Sequence, residues 1–162
     1  MRSLIIPADT FCFEQAGIRL SLCHARKGAN VQQRGGELAV HEARQNLSDG
    51  STKIIALINH PAALLQAASF IETSPRLYAL SWDIAAFAQE LRAADESQTL
   101  QHARSMIVLA ARAAEILAFD SAEPQADNET LRRVCLDARR NGFDGKLAAT
   151  AAQQAIIEAA FA

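Results

Sequence analysis

Asn141-Gly142-Phe143-Asp144-Gly145-Lys146-Leu147-Ala148 is the stretch on which the reading of the fold turns. It follows a polar helical pattern, Glu129 to Arg140, which Asn128 is placed to cap. The last turn of that pattern carries Arg139 and Arg140, where the helix dipole is negative. Gly142 ends the helix, and Lys146 to Ala149 reads as a short strand, followed by a helix from Ala151 to Phe161. A helix, a glycine stop and a short apolar strand form one unit of a parallel sheet with helices packed outside it.

The same unit recurs upstream. Leu77 to Trp82 reads as a strand, with Asp83 able to cap a helix to about Ala93. Thr99 to Glu115 carries a long amphipathic pattern, and Ile116 to Phe119 is the next strand. Lys53 to Ile58 is a continuous apolar run, as expected of a strand covered on both faces. Pro61 suits the first turn of the helix after it, which the pattern carries through Ile71. Near the start, Ser3 to Ile6 is a short strand. Asp9 or Thr10 can cap a helix to about Ala16, Gly17 stops it, and Ile18 to Cys23 is a second strand. Ala25 to Gly36 reads as a loop and Glu37 to Leu47 as a helix. The expectation is an α/β domain over residues 1–162, an incomplete TIM-barrel-like parallel sheet of about six βα units with right-handed crossovers.

The chain has 162 residues, half of them apolar, and a formal charge of −2. That is enough for one domain with a real core, yet short for a closed eight-unit barrel of roughly 250 residues. The charge balance leaves no footprint for nucleic acid. No apolar run approaches the ~20 residues of a membrane span, and the N-terminus does not read as a signal peptide. Cys12, Cys23 and Cys135 are odd in number and widely spaced, which suggests a reducing, cytoplasmic setting.

With the opening stretch, five further segments resemble the citrate lyase β-subunit-like lyases of the HpcH/HpaI aldolase superfamily. They are Arg2 to Asp9, Gly17 to His24, Ile54 to Leu65, Ser74 to Leu80, and His102 to Arg112, in that order along the chain. The resemblance implies a TIM-barrel fold, a bound magnesium ion, and cleavage or formation of carbon–carbon bonds beside a carboxylate or an acyl-CoA thioester. Such chemistry passes through an enolate, whose charge a divalent cation and an arginine stabilise. Magnesium calls for hard carboxylate oxygens, here expected at strand ends on the catalytic face.

The residues at those positions depart from the pattern that the resemblance implies. Asn59 stands where the family has a metal-binding glutamate. Ala86 falls at the aspartate position in an ungapped match. A three-residue deletion would put Asp83 there instead, so Asp83 is the residual metal-ligand candidate, with helix capping as its other reading. Asn59 and His60 follow an apolar strand and form a candidate substrate-binding pair, or cap the next helix. Cys23 and His24 stand where the second strand should end in acids, and two βα units, one bearing the family's substrate arginine, are missing between about Gly50 and Lys53. His24, His60 and Cys23 form a remote metal alternative. His102 and Arg104 are read as solvating the outer face of the long helix, Trp82 as core, and Gly145-Lys146 as no phosphate loop.

Two functions remain open. One is a lyase of reduced activity on a small carboxylic acid or acyl-CoA thioester; the other is a non-catalytic scaffold or partner subunit that kept the fold. If the strands flanking the missing units cannot meet, two open sheet edges result, and these favour a homo-oligomer.

Overall fold

The structure, a computed structural model, describes residues 4–5, 12–15, 18–25, 53–67, 75, 77–94 and 96–162. Its strands are β1 (Leu4–Ile5), β2 (Cys12–Gln15), β3 (Ile18–Ala25), β4 (Lys53–Ile58), β5 (Leu77–Trp82), β6 (Leu117–Asp120) and β7 (Gly145–Ala148). The helices are α1 (Pro61–Leu65), α2 (Ile84–Leu91), α3 (Gln98–Ala113), α4 (Asn128–Arg140) and α5 (Gln154–Phe161), the last entered through a 3₁₀ turn at Ala151–Gln153. Among the described residues, these strands form one sheet in the order β1-β7-β6-β5-β4-β3-β2. Six of them are parallel, and β2 alone is antiparallel to its neighbour β3. This is the α/β, βα-barrel-like arrangement expected of short apolar strands alternating with helices.

Side chains on alternate strand positions go to opposite faces, and the core divides accordingly. Ala56, Ile58, Leu80, Trp82, Ala118 and Ala148 pack under the helices against residues such as Phe87, Leu100, Ile107, Leu131 and Ile157. Ile55, Leu57, Ala79, Phe119 and Leu147 form a second, smaller cluster on the other face. Both faces are therefore buried, as the continuous apolar run of β4 foretold. A bulge between Ile54 and Ile55 in the β4–β5 pairing resets the parity of β5, so that Leu77 joins the helix-side core and Ala79 the inner one.

The junction after α4 is built as its sequence suggests. Gly142 has φ +91°, a conformation glycine adopts without a Cβ penalty. Its N–H donates to the Arg139 carbonyl and the Phe143 N–H to the Ala138 carbonyl, at 3.1 Å each, which closes the helix end. Asp144 then locks the chain beneath β6. Its N–H donates to the Ala118 carbonyl, its Oδ2 accepts from the Ala118 N–H, and its Oδ1 accepts from Arg112 Nη2 at 2.9 Å.

Several expectations are corrected. Residues 12–15 are a strand, not part of a helix: Gln15 stands opposite Ile18, so only two residues, one of them Gly17, separate two paired strands. The Phe13 and Glu14 alternation satisfies a hairpin as well as a helical turn, and pairing with β3 decides it. The strands flanking the missing units do meet, since β3 pairs with β4 in parallel from Leu20↔Lys53 to Ala25↔Ile58. The sheet therefore has no opening there, and its order ends on β1 and β2 instead. Asp127, not Asn128, caps α4: its Oδ1 accepts from the Thr130 N–H at 2.7 Å. That bond and its companions hold the Asp127 carboxyl below the usual range. The helix after Pro61 is regular only to Leu65. The expected loop after Ala25, the helix from Glu37 to Leu47, and the helical continuation from 68 to 71 lie outside the described residues.

Candidate functional site

The C-terminal ends of β4 and β5 lie side by side. Ile58 stands opposite Trp82, and the Asp83 N–H donates to the Ile58 carbonyl at 3.0 Å, so the ladder runs one residue past the end of β5. Continuing the alternation of Ile55 and Leu57 gives Asn59; continuing that of Ala79 gives Ser81 and then Asp83. The structure thus brings Asn59 and Asp83 to the same end and the same face of the sheet, away from the helix layer. Both are half-buried. One step deeper, Ser81 is fully buried, and its Oγ has no hydrogen-bond partner among the described residues.

Each of the named candidates also serves its own helix. His60 is the N-cap of α1: Nδ1 accepts from the Ala62 N–H at 3.0 Å, Pro61 occupies the first turn, and Nε2 lies 3.4 Å from Glu90 Oε2 on α2. Asp83 is the N-cap of α2, its Oδ1 accepting from the Ala86 N–H at 3.1 Å. The α2 start is tied a second time by Ser121, whose Oγ accepts from the Ile84 N–H at 3.2 Å. One carboxylate oxygen of Asp83 is therefore already engaged.

Of the described residues, the strand ends offer a magnesium ion one carboxylate, Asp83, and no second. Magnesium is usually held by one or two carboxylates, with substrate and water oxygens completing an octahedron. Among the described residues no group of three His, Cys, Asp or Glu side chains is placed to hold a metal. The strand ends offer one half-committed carboxylate and the neutral amide of Asn59. The remote alternative with His60 as a metal ligand is weakened in the same way, since its Nδ1 is spent on a backbone donor.

Among the described residues a dense charge cluster lies on the other face of the sheet, under the helices, and the sequence reading missed it. Asp120, the last residue of β6, receives Trp82 Nε1 at 2.9 Å, Arg104 Nε at 3.3 Å and Nη2 at 3.0 Å, and Lys146 Nζ at 3.3 Å. Arg104 Nη1 also donates to Asp137 Oδ2 on α4 at 2.7 Å, and its guanidinium lies 5.3 Å from the Phe143 ring centroid. Lys146 stands 3.6 Å from Glu123 Oε1. The Lys146 and Asp120 side chains are 1% and 5% exposed. Burial alone pushes the Asp120 carboxyl up, but the Lys146 and Arg104 charges and the Arg104 and Trp82 hydrogen bonds outweigh it, and the group sits below the usual carboxylate range. Arg104 is correspondingly raised: burial opposes its charge, and Asp120 with Asp137 overcomes the penalty. The expectation that Arg104 solvates the outer face of α3 is thus overturned, because four residues along from Leu100 it falls on the buried side, where Asp120 awaits it; His102 is exposed as expected. Cys135 is buried, and its thiol is pushed up by that burial, as a packing role requires.

The signal that points to this cluster is Lys146 itself, a charged residue inside an otherwise apolar strand. A buried ammonium demands a buried carboxylate, and the register pairs Asp120 with Lys146 directly. Ending β6 at Phe119 in the sequence reading left Asp120 outside the strand and hid the pair.

Comparisons with known proteins agree with the architecture. The citrate lyase subunit beta of Haemophilus influenzae is 37% identical over 101 residues, covering 60% of this chain and 34% of that protein. The corresponding subunit of Escherichia coli K12 is 33% identical over 100 residues, with 60% and 33% covered. The chain spans about a third of the length of these curated relatives. Among solved structures, RipC from Yersinia pestis superposes with a TM-score of 0.72 at 20% identity, covering 88% of this chain and 76% of that one. A citrate lyase beta subunit from Mycobacterium tuberculosis, complexed with oxaloacetate and magnesium, superposes at 0.65 and 21% identity, covering 88% and 72%. At these identities the structures speak for the fold alone. The family described as HpcH/HpaI aldolase/citrate lyase matches residues 8–151, and the chain belongs to that family.

Proposed function

We propose that this chain binds a small carboxylic acid, or its acyl-CoA thioester, at the strand-end face formed by Asn59 and Asp83, with His60 at its border, and that its carbon–carbon lyase activity is impaired. The family supports the ligand class, and the relative from M. tuberculosis is complexed with oxaloacetate and magnesium. The observation that carries the impairment is the donor set. The neutral Asn59 stands beside Asp83, and Asp83 already caps α2. Developing negative charge on a substrate oxygen needs fixed positive charge close by, and a site that holds magnesium poorly supplies it poorly. What the chain's own residues can do at this face is orient a ligand: the Asn59 amide is a donor of the size and polarity a carboxylate accepts, while His60, its Nδ1 taken by the Ala62 N–H and its Nε2 3.4 Å from Glu90, holds the adjoining start of α1 in place.

The same observation favours a second reading, a scaffold or partner subunit that keeps the fold without turnover. Among the described residues the sheet order ends on β1 and β2, and an end strand offers backbone groups to another chain, which supports self-association in either case.

Calorimetric titration of the full chain with oxaloacetate and with acetyl-CoA, each with and without magnesium, tests the reading. Saturable binding that magnesium hardly strengthens is expected. In the Asn59→Glu variant a second carboxylate joins Asp83, and magnesium binding should strengthen at least about tenfold, the factor that corresponds to roughly 1.4 kcal/mol. Absence of heat with both ligands from folded protein sinks the binding proposal and leaves the scaffold. Tight magnesium binding by the unaltered chain, with product formed, sinks the impairment.

A further inference from the structure

The Asp120 cluster has more charge than packing needs. Buried ion pairs recover little net stability over an apolar pair of the same volume, so what Asp120 contributes is direction. It accepts from Trp82 on β5, Arg104 on α3 and Lys146 on β7. The residue after Trp82 is Asp83, which caps the Ala86 N–H. The residue after Asp120 is Ser121, which accepts from the Ile84 N–H. The two side chains that hold the start of α2 are thus each the chain neighbour of one partner in the Trp82–Asp120 hydrogen bond.

We propose that Asp120 is a positioning residue for the strand-end face: through Trp82 and through its own neighbour Ser121 it fixes the N-terminus of α2 and the orientation of the Asp83 carboxylate. Its value for ligand binding rests on the reading of Asp83 given above; the positioning itself does not. Asp120 acts from the opposite face of the sheet and touches no ligand. Lys146 and Arg104 keep it ionised, and a carboxylate accepts from the indole N–H more strongly than a neutral amide does. Asp137 and Glu123 balance the two cations from α4 and from the segment after β6.

The test is residue-resolved amide hydrogen exchange by NMR on the full chain. Ile84 and Ala86 are the reporters. Leu100, whose N–H donates to Ser97 at the start of α3, and Thr130, whose N–H donates to Asp127 at the start of α4, are the controls. In Asp120→Asn, exchange at Ile84 and Ala86 should quicken about tenfold, a factor equal to roughly 1.4 kcal/mol, with both controls unchanged. In Trp82→Phe, which removes the donor, trims the ring packed edge-on against Phe87 and leaves Asp120 with both cations, Ala86 should quicken and Ile84 much less, whereas a packing effect through Phe87 alone would quicken both alike. That second variant carries the test if Asp120→Asn does not fold. Equal acceleration at all four amides would mean general destabilisation and overturn the proposal, as would unchanged exchange at Ala86 in folded Trp82→Phe. No ligand enters the measurement, so a failure to bind oxaloacetate leaves its outcome intact.

Discussion

At Asp120 the balance of terms can be followed through one carboxylate. Its folded-state pKa lies below the unfolded value despite burial, because two cations and the indole N–H favour the charged form more than desolvation disfavours it. A depressed carboxylate contributes stability that is present above the unfolded value of about 3.9 and is lost as pH falls through the lower folded value. Asp120→Asn removes the anion and leaves Lys146 and Arg104 buried beside an amide. A destabilisation of about 3–5 kcal/mol at neutral pH is expected. Unfolding curves of the two proteins from pH 7 downward should converge as the acid limb of the unaltered chain passes below about pH 4. A gap that stays constant with pH would show that the charge of Asp120 is not what stabilises. At Asn59, Asp83 and His60 the sequence named the candidates that the proposal rests on, since residue type alone distinguishes an amide from a carboxylate. It did not show Asp120, because the donors it needs come from residues 82, 104 and 146, and nothing local links them.

Strands and helices with a strong local signal emerged within a residue or two of their expected bounds. β4 and β5 match, since a continuous apolar run bounded by polar residues admits one reading. Where two periodicities fit, tertiary pairing chose, as at β2. The α4–β7 junction shows how narrow the requirement at one position can be. A Cβ built on Gly145 would meet Phe119 Cδ1 and Cε1 at 2.7 Å, and Phe119 is 2% exposed within the inner cluster. The ring has nowhere to go. Gly145→Ala should cost about 1–3 kcal/mol in denaturant-induced unfolding, although alanine is otherwise acceptable in that backbone conformation. An unchanged midpoint would mean that β6 and β7 can part at this point, contrary to a well-packed core.

For the molecule as a whole, the family and the βα layering were legible because six weak segments fell in the right order, and order is a property of the chain that no single motif holds. How the shortened sheet joins was not legible. Pairing of β3 with β4 joins strands separated by residues 26–52, and their shared register depends on backbone geometry rather than on residue type. With the sheet order ending on β1 and β2, light scattering behind a sizing column should give a dimer or larger species at micromolar concentration. A sharp monomer would remove the case for edge pairing.

Trp82 is the chain's one tryptophan, and its indole N–H points at Asp120. The intrinsic fluorescence of this protein is therefore a single-site signal. Any shift of emission on acidification, or on adding a ligand to the opposite face, reads the junction of β5, β6 and the start of α2 without a label. The chain thus carries its own optical gauge at the position that couples its two faces.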